Sequence, residues 1–167
     1  MKTIFLIGFM GSGKTTVGKL LSKKMKIPVC DTDQEIVREK GTSITNIFET
    51  IGEEGFRLLE TKKLKEMPLR DYIVTTGGGV ILRQENREWM IENGTVVFLD
   101  TEPDEILNRL KADTTRPLLQ GDMEERIQKL WTLRQHLYLE TGHIRIHTTG
   151  KLLEAIVEEI KERLEIH

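Results

Sequence analysis

The chain is short of several things, and each shortage closes off a class of function. Among its 167 residues there is one cysteine, Cys30, so no internal disulfide and no cysteine-based zinc cluster can form, and a reducing cytoplasm is the expected compartment. The four histidines, His136, His143, His147 and His167, show no metal-binding spacing. Charge of either sign is not in excess, since the formal net charge is -2 and the pI about 6.1. A general attraction to nucleic acid or to an anionic membrane is therefore not expected. Aromatic residues make up only 5%. No apolar run approaches membrane-spanning length. The stretch Met1–Met10 faintly imitates a signal peptide, but Gly11-Ser12-Gly13-Lys14 follows in place of a cleavage site, and that reading is rejected. No repeat, low-complexity tract or linker divides the chain, so one domain over residues 1–167 is expected, with monomer as the default state.

What is present is an alternation. Thr3–Ile7 reads as a buried strand and Thr15–Met25 as a helix. Pro28–Cys30 is a second strand, followed by a helix from Asp33 to Lys40 that Gly41 stops. Ser43 caps a segment through Phe48, and Glu53–Glu66 is a further helical stretch. Strands at Tyr72–Thr76 and Thr95–Leu99 bracket a helix over Arg83–Glu92. Thr101 is placed to cap a helix that runs to about Lys111. Ala112–Gly121 reads as a polar loop, Met123–Glu140 as a long helix, His143–His147 as a fifth strand and Lys151–Leu164 as a closing helix. Such alternation predicts an α/β fold whose mainly parallel sheet is covered on both faces.

The first strand runs into Gly8-Phe9-Met10-Gly11-Ser12-Gly13-Lys14-Thr15, the pattern Gly-x-x-x-x-Gly-Lys-Thr. Glycines let the backbone curl so that successive N–H groups face phosphate oxygens, and the helix that follows aims its positive end at the same anion. Lys14 adds a charge for the β- and γ-phosphates, and the Thr15 hydroxyl can bind Mg2+. Strand before and helix after are the context the motif requires, against a capped glycine-rich turn with a solvated lysine. No Asn-Lys-x-Asp guanine-reading motif is present, and the small domain points to a small-molecule or nucleotide kinase.

Two strands end in aspartate. Asp100 after Val96–Leu99 imitates a metal-binding strand end, though the plainer reading, a residue just before a helix start, is preferred. Asp31-Thr32-Asp33 offers two carboxylates at the strand edge where open α/β sheets bind ligands, or else a pair of helix-capping aspartates. Gly77-Gly78-Gly79 at a strand end has no side chain to pack and implies close approach of a ligand to the backbone. Arg57, four residues after Glu53 and three before Glu60, reads from spacing alone as a surface ion pair.

Taken in order, the loop Gly8–Thr16, Asp31-Thr32-Asp33, Gly52–Arg57 with Glu60, Thr76–Gly79, Arg116-Pro117-Leu118-Leu119, and Arg134 four residues before Tyr138 resemble the shikimate kinase family over nearly the whole chain. The resemblance implies a nucleoside-monophosphate-kinase-like fold, three-layer α/β/α with a five-stranded parallel sheet. It implies transfer of the γ-phosphoryl of ATP to the 3-hydroxyl of shikimate, with Mg2+ as cofactor. Gly11, Ser12, Gly13, Lys14, Thr15 and Thr16 would hold the nucleotide, with Arg109 and Lys151 bordering the adenine. Thr15 and Asp31 match the metal site, Asp31 through water, and Asp33 matches the group that binds substrate hydroxyls and serves as base. Arg57 and Arg134 match the pair gripping the substrate carboxylate, and Gly78, between Gly77 and Gly79, matches a backbone contact to the substrate. Arg116 matches an arginine that reaches the ATP phosphates. The catalytic set is thus Asp33, Lys14 and Arg116, the substrate-binding region spans about residues 31–62 and the lid about 112–122. The chain departs from the family after Tyr138, where Glu140 is followed by Thr141-Gly142-His143. The rivals are a gluconate or nucleoside-monophosphate kinase, and a non-catalytic ATP-binding regulator.

Overall fold

A computed structural model describes residues 1–112 and 122–167. Five strands form one parallel sheet in the order β2-β3-β1-β4-β5. They are β1 (Thr3–Ile7), β2 (Val29–Asp31), β3 (Ile73–Thr75), β4 (Gly94–Asp100) and β5 (Ile144–His147). The helices are α1 (Lys14–Met25), α2 (Thr32–Lys40), α3 (Ile44–Glu66), α4 (Gln84–Asn93), α5 (Pro103–Ala112), α6 (Met123–Thr141) and α7 (Leu153–Ile166). A short 3₁₀ turn, Val80–Leu82, separates β3 from α4.

All five residues of β1 are buried, because the central strand of a doubly covered sheet has no solvent face. Its alternate side chains serve two cores. Ile4 and Leu6 pack with Val17 and Leu21 of α1 and Ile156, Val157 and Ile160 of α7. Phe5 and Ile7 pack on the opposite face with residues of α3, α4, α5 and α6. A third, smaller cluster of Ile36, Ile47 and Phe56 joins α2 to α3. The register fixes the chemistry's position. Leu6 pairs with Thr75 and Asp31 with Thr75, so β1, β2 and β3 end level with one another and their loops open on a single edge.

Several expectations shift at their edges. The two segments read separately around Ser43–Phe48 and Glu53–Glu66 are the two helical parts of α3, which meet at a kink at Gly52, whose φ of 73° and ψ of 176° are non-helical. Ser43 does cap it, accepting from the Asn46 N–H at 3.1 Å. Thr101 does not cap α5, which starts at Pro103. Its hydroxyl is instead paired with that of Thr148 beyond β5. The cross-strand partner wins because both residues are buried and a buried hydroxyl needs a partner. The chain leaves Tyr138 through Thr141, Gly142 and His143 into β5 as expected, and the Val96 N–H donates to His143 Nδ1 at 2.9 Å.

Candidate active site

The loop between β1 and α1 is shaped by glycine. Gly13, the residue before α1, has φ 89° and ψ 17°, a left-handed conformation that glycine adopts without penalty. Lys14 lies back across the loop, and its Nζ donates to the carbonyls of Gly8 at 2.7 Å and Phe9 at 2.9 Å. Thr15 and Thr16 are exposed in the first turn of α1. Arg109 reaches in from α5 and donates to the Gly11 carbonyl at 2.9 Å, while its other nitrogen pairs with Glu105 at 3.4 Å.

Across the edge, Asp31 performs two tasks. One carboxylate oxygen caps α2 by accepting from the Gln34 N–H at 3.0 Å, and the other accepts from the Thr75 hydroxyl at 2.7 Å. The capping reading is therefore right for Asp31, and the same bonds hold its carboxylate at the strand edge. Asp33 turns inward instead. A Cβ built on Gly77 would lie 3.0 Å from Asp33 Oδ1 and 3.0 Å from Glu60 Oε2. Two carboxyl groups thus converge on one glycine.

Glu60 is the residue that sequence reasoning undervalued. It is 0% exposed, and its Oε1 accepts from Arg57 Nη1 at 2.9 Å. Arg57 also pairs with the solvent-facing Glu53 at 3.5 Å, so both spacing-derived ion pairs exist, but one of them is buried. Glu60 Oε2 has no hydrogen-bond partner among the described residues. Burial, more than anything else, raises its carboxyl to about 7, against the opposing pull of Arg57. The two charges near it on other elements are Asp33 on α2 and Arg134 on α6. Arg134 is itself 9% exposed.

The three glycines make room for the site's own parts as well as for a ligand. A Cβ on Gly79 would sit 2.6 Å from Arg57 Cζ, and one on Gly78 would sit 3.2 Å from the Met10 backbone nitrogen. Any side chain here would push the guanidinium or the phosphate loop away.

All these groups border one cavity of about 720 Å³, lined by Gly11, Ser12, Gly13, Lys14, Thr15, Thr16, Asp31, Asp33, Arg57, Gly77, Gly78, Gly79, Arg109, Arg134 and Lys151. Phe48, tilted against Phe56 at 4.7 Å between centroids, adds an apolar wall. Lys151 lies at the rim with its Nζ on Glu159 at 2.6 Å. Arg116 and most of the anticipated lid lie outside the described residues. Asp100 is not in the cavity. It is 4% exposed, accepts two bonds from Arg145 at 2.8 and 2.6 Å, and has His147 Nδ1 at 3.4 Å. Its carboxylate ties β4 to β5.

The donor set suits a magnesium ion poorly as a protein-only cage, because no group of three or more acidic, histidine or cysteine side chains is assembled among the described residues. It suits one that keeps most of its water and leans on substrate phosphates. Thr15, exposed in the first turn of α1, and the fixed Asp31 carboxylate are among the oxygen donors that line the cavity.

A parallel sheet, a phosphate loop at the edge of its central strand and a polar cavity running from that loop to paired arginines define a P-loop phosphotransferase. Comparison with known proteins narrows this. A family model described as shikimate kinase matches residues 10–165. A shikimate kinase of Bacillus cereus (strain AH187) is 47% identical over 165 residues, covering 98% of this chain and 99% of that one. One from Caldicellulosiruptor bescii is 47% identical over 140 residues, covering 83% and 81%. Among solved structures, shikimate kinase from Acinetobacter baumannii in complex with shikimate superposes with a TM-score of 0.92 at 37% identity, covering 98% and 93%. The enzyme from Aquifex aeolicus gives 0.83 at 38% identity, covering 98% and 96%. The chain belongs to the shikimate kinase family.

Proposed function

We propose that this chain transfers the γ-phosphoryl of ATP to the 3-hydroxyl of shikimate, giving shikimate 3-phosphate and ADP in the route to chorismate and the aromatic amino acids. The observation that carries the assignment is the convergence of phosphate loop, Asp33 and the Arg57–Arg134 pair on one cavity in a chain of this family.

The loop's N–H groups and Lys14 hold the β- and γ-phosphates. Lys14 already faces carbonyl oxygens of its own loop, so its ammonium is preset for an anionic oxygen. Arg109 and Lys151 border the adenine. Thr15 and Asp31 would hold Mg2+, which would supply charge neutralisation at the transferring phosphoryl. Arg57 and Arg134 take the carboxylate of the acceptor through paired N–H donors. Asp33, held beside Gly77, accepts the proton of the attacking hydroxyl, and the Gly78 backbone contacts the substrate. Arg116, by its family match, would reach the ATP phosphates and stabilise charge on the transferring phosphoryl.

No described helix is long and apolar enough to cross a membrane, and the net charge of -2 gives no general attraction to nucleic acid. The proposed enzyme works as a monomer in the cytoplasm, on small molecules alone. Incubation with ATP, Mg2+ and shikimate should yield a product with the mass of a shikimate monophosphate and an NMR spectrum showing phosphorus coupling at the 3-position. Coupling at another hydroxyl would contradict the assigned regiochemistry.

A further inference from the structure

The carbonyl groups of the glycine triplet are all satisfied from within the protein, each in its own way. Those of Gly77 and Gly79 accept from the N–H groups of Val80 at 3.2 Å and Leu82 at 3.1 Å. The Gly78 carbonyl instead accepts from the Tyr138 hydroxyl, sixty residues further along the chain. Tyr138 lies on α6, one helical turn after Arg134. Its ring is 2% exposed and stacks on Phe98 of β4, with centroids 5.2 Å apart and planes 12° from parallel. The hydroxyl therefore has little room to swing. Burial pushes the phenol far above its ordinary range, against the opposing effect of the adjacent Arg134 guanidinium, so it stays a donor at every working pH.

A trans peptide points its N–H opposite to its C=O, and no peptide in the described chain is cis. Holding the Gly78 oxygen consequently sets the direction of the Gly79 N–H, on the side away from Tyr138. The glycines line the cavity and Tyr138 does not, so the tyrosine stands behind the wall that they form. On its other side Gly78 abuts the phosphate loop, where an added Cβ would lie 3.2 Å from the Met10 nitrogen. Glycine peptides flip readily for want of a Cβ. A flipped Gly78–Gly79 peptide would present a carbonyl oxygen to an anionic polyol, which repels it.

We propose that Tyr138 is a positioning residue for the phosphoryl acceptor: its hydroxyl locks the Gly78–Gly79 peptide so that the Gly79 N–H faces an acceptor oxygen, and ties that peptide to the helix bearing Arg134. The inference rests on the shikimate kinase reading and adds a residue outside the cavity to it. The acceptor is then held at two points, arginine and amide, in fixed relation to the loop that holds the donor.

The test is steady-state kinetics of Tyr138→Phe beside Phe98→Leu. Tyr138→Phe deletes the hydroxyl and keeps the ring, whereas Phe98→Leu loosens the ring contact and keeps the hydroxyl. The first should raise KM for shikimate about tenfold or more and leave KM for ATP within about twofold. The second should leave KM for shikimate within about threefold. An unchanged shikimate KM in Tyr138→Phe, or an equal rise in Phe98→Leu, overturns the proposal. A second measurement uses the native chain. In its ¹⁵N-resolved spectrum the Gly79 amide should shift as shikimate is added and not with ADP alone, and an immobile Gly79 signal overturns the proposal however the variants fold. If the native chain turns over no shikimate, the functional reading itself fails; turnover with an unaffected Tyr138→Phe contradicts only the role of Tyr138.

Discussion

Glu60 shows how one side chain can be ordinary in sequence and decisive in space. A glutamate three residues after an arginine on a helix reads as a surface partner. The period of a helix says which residues are neighbours, but not which face a distant loop will cover. Here Gly77 and Asp33 close over that face, and nothing near Glu60 in the sequence announces them. The consequence is measurable through pH. Because the folded carboxyl titrates near 7 and its ordinary value is 4.5, the native state keeps a proton that the unfolded chain has already released. The stability this contributes is full below about 4.5 and is lost as pH rises through about 7, and it is worth a few kcal/mol at most. Glu60→Gln cannot titrate. Thermal melts of both proteins between pH 5 and pH 8 should therefore show the difference in Tm moving in favour of the variant as pH rises; a difference independent of pH would show that Glu60 does not titrate in this range.

Gly79 gives the complementary residue-scale prediction. The sequence shows a glycine triplet at a strand end, which is legible as a place of close approach. It does not show that the close neighbour is Arg57, whose Cζ lies 2.6 Å from where a Cβ would be. Gly79→Ala must displace a guanidinium already tied to a buried carboxylate. KM for shikimate should rise on the order of tenfold while KM for ATP stays within about twofold, if Arg57 holds the acceptor and not the nucleotide, as proposed. Equal loss at both substrates would mean that the loop as a whole had moved.

At the scale of elements, strands and helices were legible to within a residue or two where periodicity is clean. β1 is Thr3–Ile7 as read, and α2, β4, α6 and β5 differ only at their ends. The misreadings come from contacts that no local pattern encodes. Thr101 looks like a cap until β5 brings Thr148 to it. Asp100 reads as a strand-end residue just before a helix, and that is where it lies; what the local pattern does not show is that Arg145, across the sheet, holds it with two bonds. The break in α3 is different, for Gly52 signals it and only its sharpness is hidden. With φ at 73° and ψ at 176°, Gly52 occupies a region essentially closed to other residues. Gly52→Ala should cost about 1–3 kcal/mol by that strain alone. Urea titration checks this: a loss under about 0.5 kcal/mol would mean that α3 can run straight through, and the angle between its two parts would not be fixed by backbone geometry.

For the whole molecule, the alternation of strands and helices was enough to announce a parallel sheet covered on both faces, and the phosphate loop announced its central edge. The order β2-β3-β1-β4-β5 then does the assembling. Placing β1 between β3 and β4 sets the loop beside the glycine triplet, and placing β2 next to β3 brings Asp31 and Asp33 to the same edge. Arg134 arrives from α6, far along the chain, because that helix packs against β4 and the 3₁₀ turn that follows the glycine triplet. This is why a loop that identifies a nucleotide could not identify its acceptor, and why residues scattered from Asp33 to Arg134 could do so only together. The pieces are legible one by one, while their meeting is a property of the fold.

The account stands on the identity of that acceptor. Coupled ADP release, measured with ATP and Mg2+ against shikimate, gluconate and nucleoside monophosphates side by side, tests it most directly. Turnover should require Mg2+, should be stimulated by shikimate alone, and should vanish in Lys14→Ala. Equal or greater turnover with gluconate or a nucleoside monophosphate, or ATP binding that no acceptor converts to ADP, would contradict it.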